Sequence, residues 1–191
     1  GPNKVYLGKG DGDFEPAPAS DANTDKVTAS RGGVFPYDSR HVAVLDFNND
    51  KKPDLFVSNY DLHNELLENI GGGKFKAAES GDAVELVTKS VYAAVADLNG
   101  DERKDILVGN HRSPDTILIS HGQTGQFFIA EDGVFPTDKA DTVALYAVDV
   151  DNDMFDDVAV VYKSSYGEFV GGSAVVFTEP SSSVVTADLG G

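Results

Sequence analysis

The sequence predicts an all-β fold built from four-stranded antiparallel blades of a β-propeller. Three observations lead there: an aspartate-rich nonapeptide that returns at a nearly fixed spacing, short apolar runs on either side of each copy, and a strand–glycine–phenylalanine unit between copies. The nonapeptides are DFNNDKKPD from Asp46, DLNGDERKD from Asp97 and DVDNDMFDD from Asp149, so they stand 51 and then 52 residues apart. A fixed period of this length marks a repeat architecture, in which one unit cannot bury its apolar face alone and neighbours must stack.

Each nonapeptide is entered from an apolar run (HVAVL, VYAAVA, VALYAV) and left by another (LFVSNY, ILVGN, VAVVY). These runs are rich in the β-branched and aromatic residues that suit a pleated surface, so each nonapeptide is expected to be a loop joining two strands. A second hairpin follows in each period: NKVYLGKGDGDF from Asn3, NELLENIGGGKF from Asn64 and DTILISHGQTGQFF from Asp115. One period is therefore about four short strands, with almost no helical periodicity to set against it. The expected division is the end of a blade and a connection over 1–38, blades over 39–89 and 90–142, a shorter blade over 143–182, and the start of a further blade over 183–191. The third repeat is degenerate, because SSYGEFVGG at 164–172 replaces the usual link.

Composition limits the partners. With 15 Lys+Arg against 32 Asp+Glu the formal charge is -17 and the pI about 4.3, so a nucleic-acid backbone would be repelled. The apolar runs at 143–148 and 158–162 fall far short of the roughly 20 residues that span a bilayer, and no membrane insertion is expected. Cysteine is absent, so no disulfide staples the fold. The opening Gly1-Pro2 has no basic or apolar leader after it, and a signal peptide is expected to be missing or already removed.

The spacing of the acidic residues suits a hard cation. Side-chain oxygens at positions 1, 3, 5 and 9 of the loop, with a main-chain carbonyl at 7, offer the oxygen-rich shell that calcium takes. In the first loop these are Asp46, Asn48, Asp50 and Asp54 with the carbonyl of Lys52. The second offers Asp97, Asn99, Asp101 and Asp105 with Arg103, and the third Asp149, Asp151, Asp153 and Asp157 with Phe155. About three Ca2+ sites are expected. The bland alternative is a set of Asx-rich turns that satisfy their own backbone amides and bind nothing. Three copies in phase argue against it, since a merely solvated acidic face needs no such phase. Magnesium is disfavoured by the number of protein oxygens, and a helix-loop-helix calcium hand by the missing twelfth-position glutamate and flanking helices.

On VAVLDFNNDKKPDLFVSN, AAVADLNGDERKDILVGN and YAVDVDNDMFDDVAVVY, together with NKVYLGKGDGDF and its copies, the chain resembles the FG-GAP/VCBS repeats of integrin-α-like β-propellers over nearly its whole length. That resemblance implies structural calcium in the loops and a ring whose surface makes adhesion, carbohydrate or protein contacts. A closed ring of seven such repeats would need on the order of 360 residues, so the chain corresponds to about half of one. It departs from the family at loop position 6, usually glycine, where Lys51, Glu102 and Met154 stand. A left-handed residue there costs about 1 kcal/mol per loop. The strict FG…GAP signature is also missing, which places the chain nearer the VCBS-like branch.

Other motifs carry less. GKGDGD at 8–13 lacks the Lys-Ser/Thr ending of a phosphate loop and reads as a hairpin turn. His41, His63, His111 and His121 are scattered, with His63 and His111 in corresponding connections between second and third strands. GVFP occurs at 33–36 and 133–136, where the phenylalanines are expected to pack between blades. No nucleophile, base and orienting acid can be assembled. The expected function is a noncatalytic, calcium-binding module of an extracellular or cell-surface protein that binds a protein or glycan ligand. The alternatives are a propeller portion of a secreted carbohydrate-active or lipid-active enzyme whose catalytic residues lie elsewhere, and a structural subunit among neighbouring blades of a larger surface assembly.

Overall fold

A computed structural model of the chain describes residues 4–18, 38–78, 81–121, 126–130, 141–149 and 156–163, and the strands Ser173–Thr178 and Ser183–Asp188. The two GVFP segments lie outside the described residues. A short hairpin, β1 (Tyr6–Gly8) and β2 (Phe14–Pro16), opens the structure, and GKGDGD forms its turn. Three antiparallel meanders follow. The first is β3 (Ser39–Leu45), β4 (Asp54–His63), β5 (Glu65–Gly71) and β6 (Lys74–Ala77). The second is β7 (Val87–Ala96), β8 (Asp105–Asn110), β9 (Thr116–His121) and β10 (Gln126–Ile129). The third is β11 (Asp141–Val148), β12 (Asp157–Lys163), β13 (Ser173–Thr178) and β14 (Ser183–Asp188). The fold is all-β and propeller-like: the first strands stand side by side, β3 against β7 and β7 against β11.

The third sheet departs from the expected division. Ser183–Asp188, expected to begin a further blade, pairs along its length with Ser173–Thr178 as the fourth strand. Two runs rich in valine, SAVVFT and SVVTAD, lie a few residues apart around EPSS, and local pairing of this kind closes the shortest loop. The one helix among the described residues, α1 (Asp82–Glu85), is a single turn that brings Ala83 and Val84 into the core.

The middle strands are buried on both faces, which is why they read as unbroken apolar runs. Every residue of β8 is buried. Ile106 and Val108 point into a core shared with Phe56, Leu66 and Leu118, while Leu107, one residue out of phase, enters a second core with Ala94, Leu145, Val158 and Val160. A third cluster, Val57, Leu67 and Phe75, takes Val5 beside β1. There the β5–β6 turn approaches β1 so closely that a Cβ on Gly73 (φ 71°) would come within 2.9 Å of Leu7 Cδ1.

β4 belongs to two ladders. Its first half pairs with β3 and β5, and its last residues pair with the next meander, Tyr60 opposite Lys89 and His63 opposite Val87. The second and third meanders meet differently, through side chains over Gly109, where an added Cβ would lie 2.5 Å from Thr142 Cγ2 and 3.0 Å from Leu145 Cδ1. Both neighbours are buried, so they have little room to yield. Gly109→Ala is expected to lower the unfolding free energy by about 1–3 kcal/mol, the usual cost of overpacking. Urea denaturation measures it; an unchanged midpoint would mean that the two meanders are not packed this closely.

Candidate metal loops and their buried carboxylates

The two described nonapeptides fold alike. In the first, Asp46 Oδ1 accepts the Asp50 amide at 3.1 Å and Oδ2 the Lys51 amide at 2.8 Å. Asn48 Oδ1 also accepts the Asp50 amide at 3.1 Å, and Asp50 Oδ1 that of Lys52 at 2.9 Å. The second loop repeats this: Asp97 accepts the amides of Gly100, Asp101 and Glu102 at 2.8, 3.1 and 2.8 Å, Asn99 that of Asp101 at 3.1 Å, and Asp101 that of Arg103 at 2.9 Å. These bonds wind the chain tightly, with left-handed backbone at position 4 (Asn49, φ 58°; Gly100, φ 74°) and position 6 (Lys51 and Glu102, both φ 65°). The strain expected at Lys51 and Glu102 is present, and both residues turn their side chains into solvent.

Position 9 closes each loop from below. Asp54 and Asp105 have no exposed surface. Asp54 Oδ2 accepts the Phe47 amide at 3.1 Å and Oδ1 the Asn69 amide of β5 at 2.7 Å; Asp105 does the same with Leu98 at 2.9 Å and Ser120 of β9 at 2.8 Å. One carboxylate thus joins the loop, the second strand and the third. The position-2 side chains, Phe47 and Leu98, are held over the cores that flank their strands. Burial pushes both carboxyls above the usual range; the amide bonds pull them back, and the acids at positions 5 and 1 push them up again.

The basic residues at position 7 fold back on position 5. Lys52 Nζ lies 2.5 Å from Asp50 Oδ2, and Arg103 Nη2 pairs with Asp101 Oδ2. Among the described residues no three acidic or histidine side chains are grouped closely enough to enclose a metal ion. The chemistry of the donor set nevertheless fits a hard cation. Every side-chain donor is oxygen and three of the four are carboxylates, of which the one at position 9 is buried and the one at position 5 is paired with the base at position 7. In the third loop Asp149 follows β11 and Asp157 opens β12, buried; Asp151, Asp153 and Phe155 lie outside the described residues. Asp156, beside them, accepts the Asp97 amide at 3.2 Å and Lys104 Nζ at 2.6 Å, and Lys104 holds its carboxyl below the usual range.

A polar brace at the far end of the strands escaped sequence reasoning. Asn59 donates its amide to Asn64 Oδ1 at 2.9 Å and its side chain to the His63 carbonyl at 2.8 Å. One repeat later Asn110 bonds Asp115 Oδ1 and the Pro114 carbonyl, each at 2.8 Å. Asp115 also accepts the hydroxyls of Thr142 at 2.7 Å and Tyr162 at 3.2 Å, which joins the second meander to the third. Burial pushes its carboxyl up, and the amide and hydroxyls pull it back. The repeat spacing aligns Asn59 with Asn110 and Asn64 with Asp115, and that recurrence was the available signal.

Stacked four-stranded meanders, the first two with their first hairpin closed by an aspartate-rich loop over a buried carboxylate, define a β-propeller-like repeat protein. The chain matches the FG-GAP-like repeat family over residues 46–108 and 97–160, more than half its length and including all three nonapeptides, and it belongs to that family. No curated protein matches it.

Two outcomes follow from this geometry. Glu102→Gly is expected to raise stability by about 1 kcal/mol, because glycine accepts the left-handed conformation without strain; thermal melting checks it, and a lower melting temperature would refute the strain. The second concerns Asp115. Its folded-state carboxyl titrates above the unfolded one, so the folded chain takes up a proton more readily. Its contribution to stability is therefore gained as pH falls from neutral through the raised value, and lost as pH rises. Asp115→Asn, which installs the residue already used at Asn64, should flatten that part of the stability–pH curve in metal-free buffer. Equal slopes for the two proteins would show that Asp115 does not carry the dependence.

Proposed function

We propose that this chain is a noncatalytic, calcium-stabilised propeller module of an extracellular or cell-surface protein, its blades belonging to a ring of seven and its loops presented to a protein or glycan ligand. The observation that carries this reading is the carboxylate at position 9, buried in two successive repeats with two further acids beside it. Burying a charge among like charges is costly unless a cation offsets it. Asp46, Asn48, Asp50 and Asp54 would hold one ion with the Lys52 carbonyl. Asp97, Asn99, Asp101 and Asp105 would hold a second with that of Arg103, and the third loop a third. The ion would supply positive charge that turns repulsion within each loop into attraction. The chain's own residues do the rest: position 9 anchors the loop to two strands, and position 2 pins it to a core.

Sites of this kind suit a calcium-rich setting. With affinities like those of extracellular modules, about 10⁻⁴ to 10⁻³ M, they fill at millimolar calcium and stand empty at resting cytosolic levels. That supports a place outside the cell or in the secretory lumen.

Calcium is expected to raise the melting temperature, each site adding about 2.7 kcal/mol at 100 times its dissociation constant. Calorimetric titration should show Asp105→Ala losing one site and Glu102→Ala keeping all of them. A melting curve indifferent to chelator, or equal effects of the two substitutions, would leave the loops as self-satisfied turns and overturn the metal reading.

A further inference from the structure

His41 and Tyr92 hold the same place in successive repeats, 51 residues apart, and their rings stack across the joint between the first two meanders, with centroids 4.6 Å apart and 28° between the planes. Beside the stack, the amide of buried Ala93 donates to His41 Nδ1 at 3.3 Å. An imidazole nitrogen accepts only when it carries no proton, so this bond fixes the neutral ring with its hydrogen on Nε2. A main-chain donor of β7 is thereby satisfied by a group that changes charge near neutral pH. No neighbouring charge favours a proton there. β3 packs chiefly on β4 and β7. On β4, Ser58 lies opposite His41, and the titratable groups are Asp54 beneath its loop, Tyr60, exposed Asp61, and His63 at the far end. On β7 they are Lys89 and Tyr92, and on β3 itself Arg40, which pairs with Asp38. Arg40 and Lys89 both stand at the Tyr60 ring. Burial holds the His41 imidazole below its usual range.

We propose that His41 is an acid-sensitive latch between the first and second meanders: the neutral ring ties Ala93 of β7 to β3, and a proton on Nδ1 releases it. A protonated Nδ1 points a hydrogen at the hydrogen of the Ala93 amide, so the acceptor is lost and a buried donor is left unpaired. The ring itself need not leave, because an imidazolium also packs on an aromatic face. The third repeat has Ala144 at this position, so the next joint lacks the latch. There His111 Nδ1 lies 3.1 Å from Asp141 Oδ1, a pair that a proton on the ring strengthens. Acid therefore acts on the two joints in opposite directions. The folded chain takes up a proton at His41 less readily than the unfolded chain. Stability carried by the latch is thus complete above the unfolded value, about 6.5, and is lost as pH falls through the lowered one. Within that window the unfolding equilibrium constant rises by up to about tenfold per pH unit.

The latch goes beyond the function proposed above and needs no metal, so the test uses the full chain in metal-free buffer. Proton NMR of the His41 ring should give a midpoint below about 6.5, with the Ala93 amide resonance moving at the same midpoint. In urea denaturation from about pH 7.5 to about 5, His41→Gln, which cannot be charged, should lose the slope that His41 carries, and His111→Gln should keep it. Hydrogen exchange, corrected for the intrinsic effect of pH, should accelerate on acidification more at Ala93 than at Arg112, whose amide bonds Asp141 across the second joint. A ring that titrates at or above about 6.5, an Ala93 resonance indifferent to that titration, equal slopes for the parent chain and His41→Gln, or equal acceleration at the two joints would overturn the latch. The ring titration is read on the unaltered chain and decides the matter even if His41→Gln does not fold.

Discussion

The structure depends on one recurring interaction, a buried aspartate whose two oxygens are divided between different parts of the chain. Asp54 gives one oxygen to the loop before it and the other to the strand after next, and Asp105 repeats the arrangement. A hairpin loop is ordinarily held only by the strands it joins. Here it is also tied to the third strand of its meander, so the position of the loop is set by the whole blade. The same bonds orient Phe47 and Leu98 toward the cores, and loop geometry and blade packing become one constraint.

That constraint explains why strain is tolerated at Lys51 and Glu102. A left-handed residue with a side chain costs about 1 kcal/mol, but at each of them the amide is fixed by the position-1 carboxylate and the following chain by position 9. The surrounding bonds over-determine the turn. Both side chains are exposed to water, and the strain lies in the backbone.

Much of this architecture was readable before the fold was known. The period, the loops and the apolar strands on either side of them follow from hydrophobic pattern and spacing, because those features are local, while the burial of strands such as ILVGN on both faces is set by the neighbouring meanders. Spacing marks Asp105 as a candidate calcium ligand, and the structure adds that its carboxylate accepts the amides of Leu98 and Ser120. The partner in β9 is fifteen residues away and no local pattern names it. Asn59 and Asn110 recur in phase, but their role depends on contacts made only once the second and third strands are brought together. The pairing of Tyr60 with Lys89 needed β4 to cross into the next ladder, a register that apolar alternation does not specify. At Ser183–Asp188 the periodic ruler pointed to a new repeat, and the short local hairpin prevailed.

The double membership of β4 has a mechanical side. Because its tail is laddered to β7, the first two meanders share a strand and must shear several main-chain bonds together before they separate. Between the second and third, among the described residues, the joint is a shared apolar core of Ala94, Leu107, Leu145, Val158 and Val160, the packing over Gly109, and the bonds that Asp115, Asp141 and Asp156 accept. The two joints therefore differ in kind: main-chain pairing along one strand holds the first two meanders together, and a buried apolar core with side-chain bonds holds the third to the second.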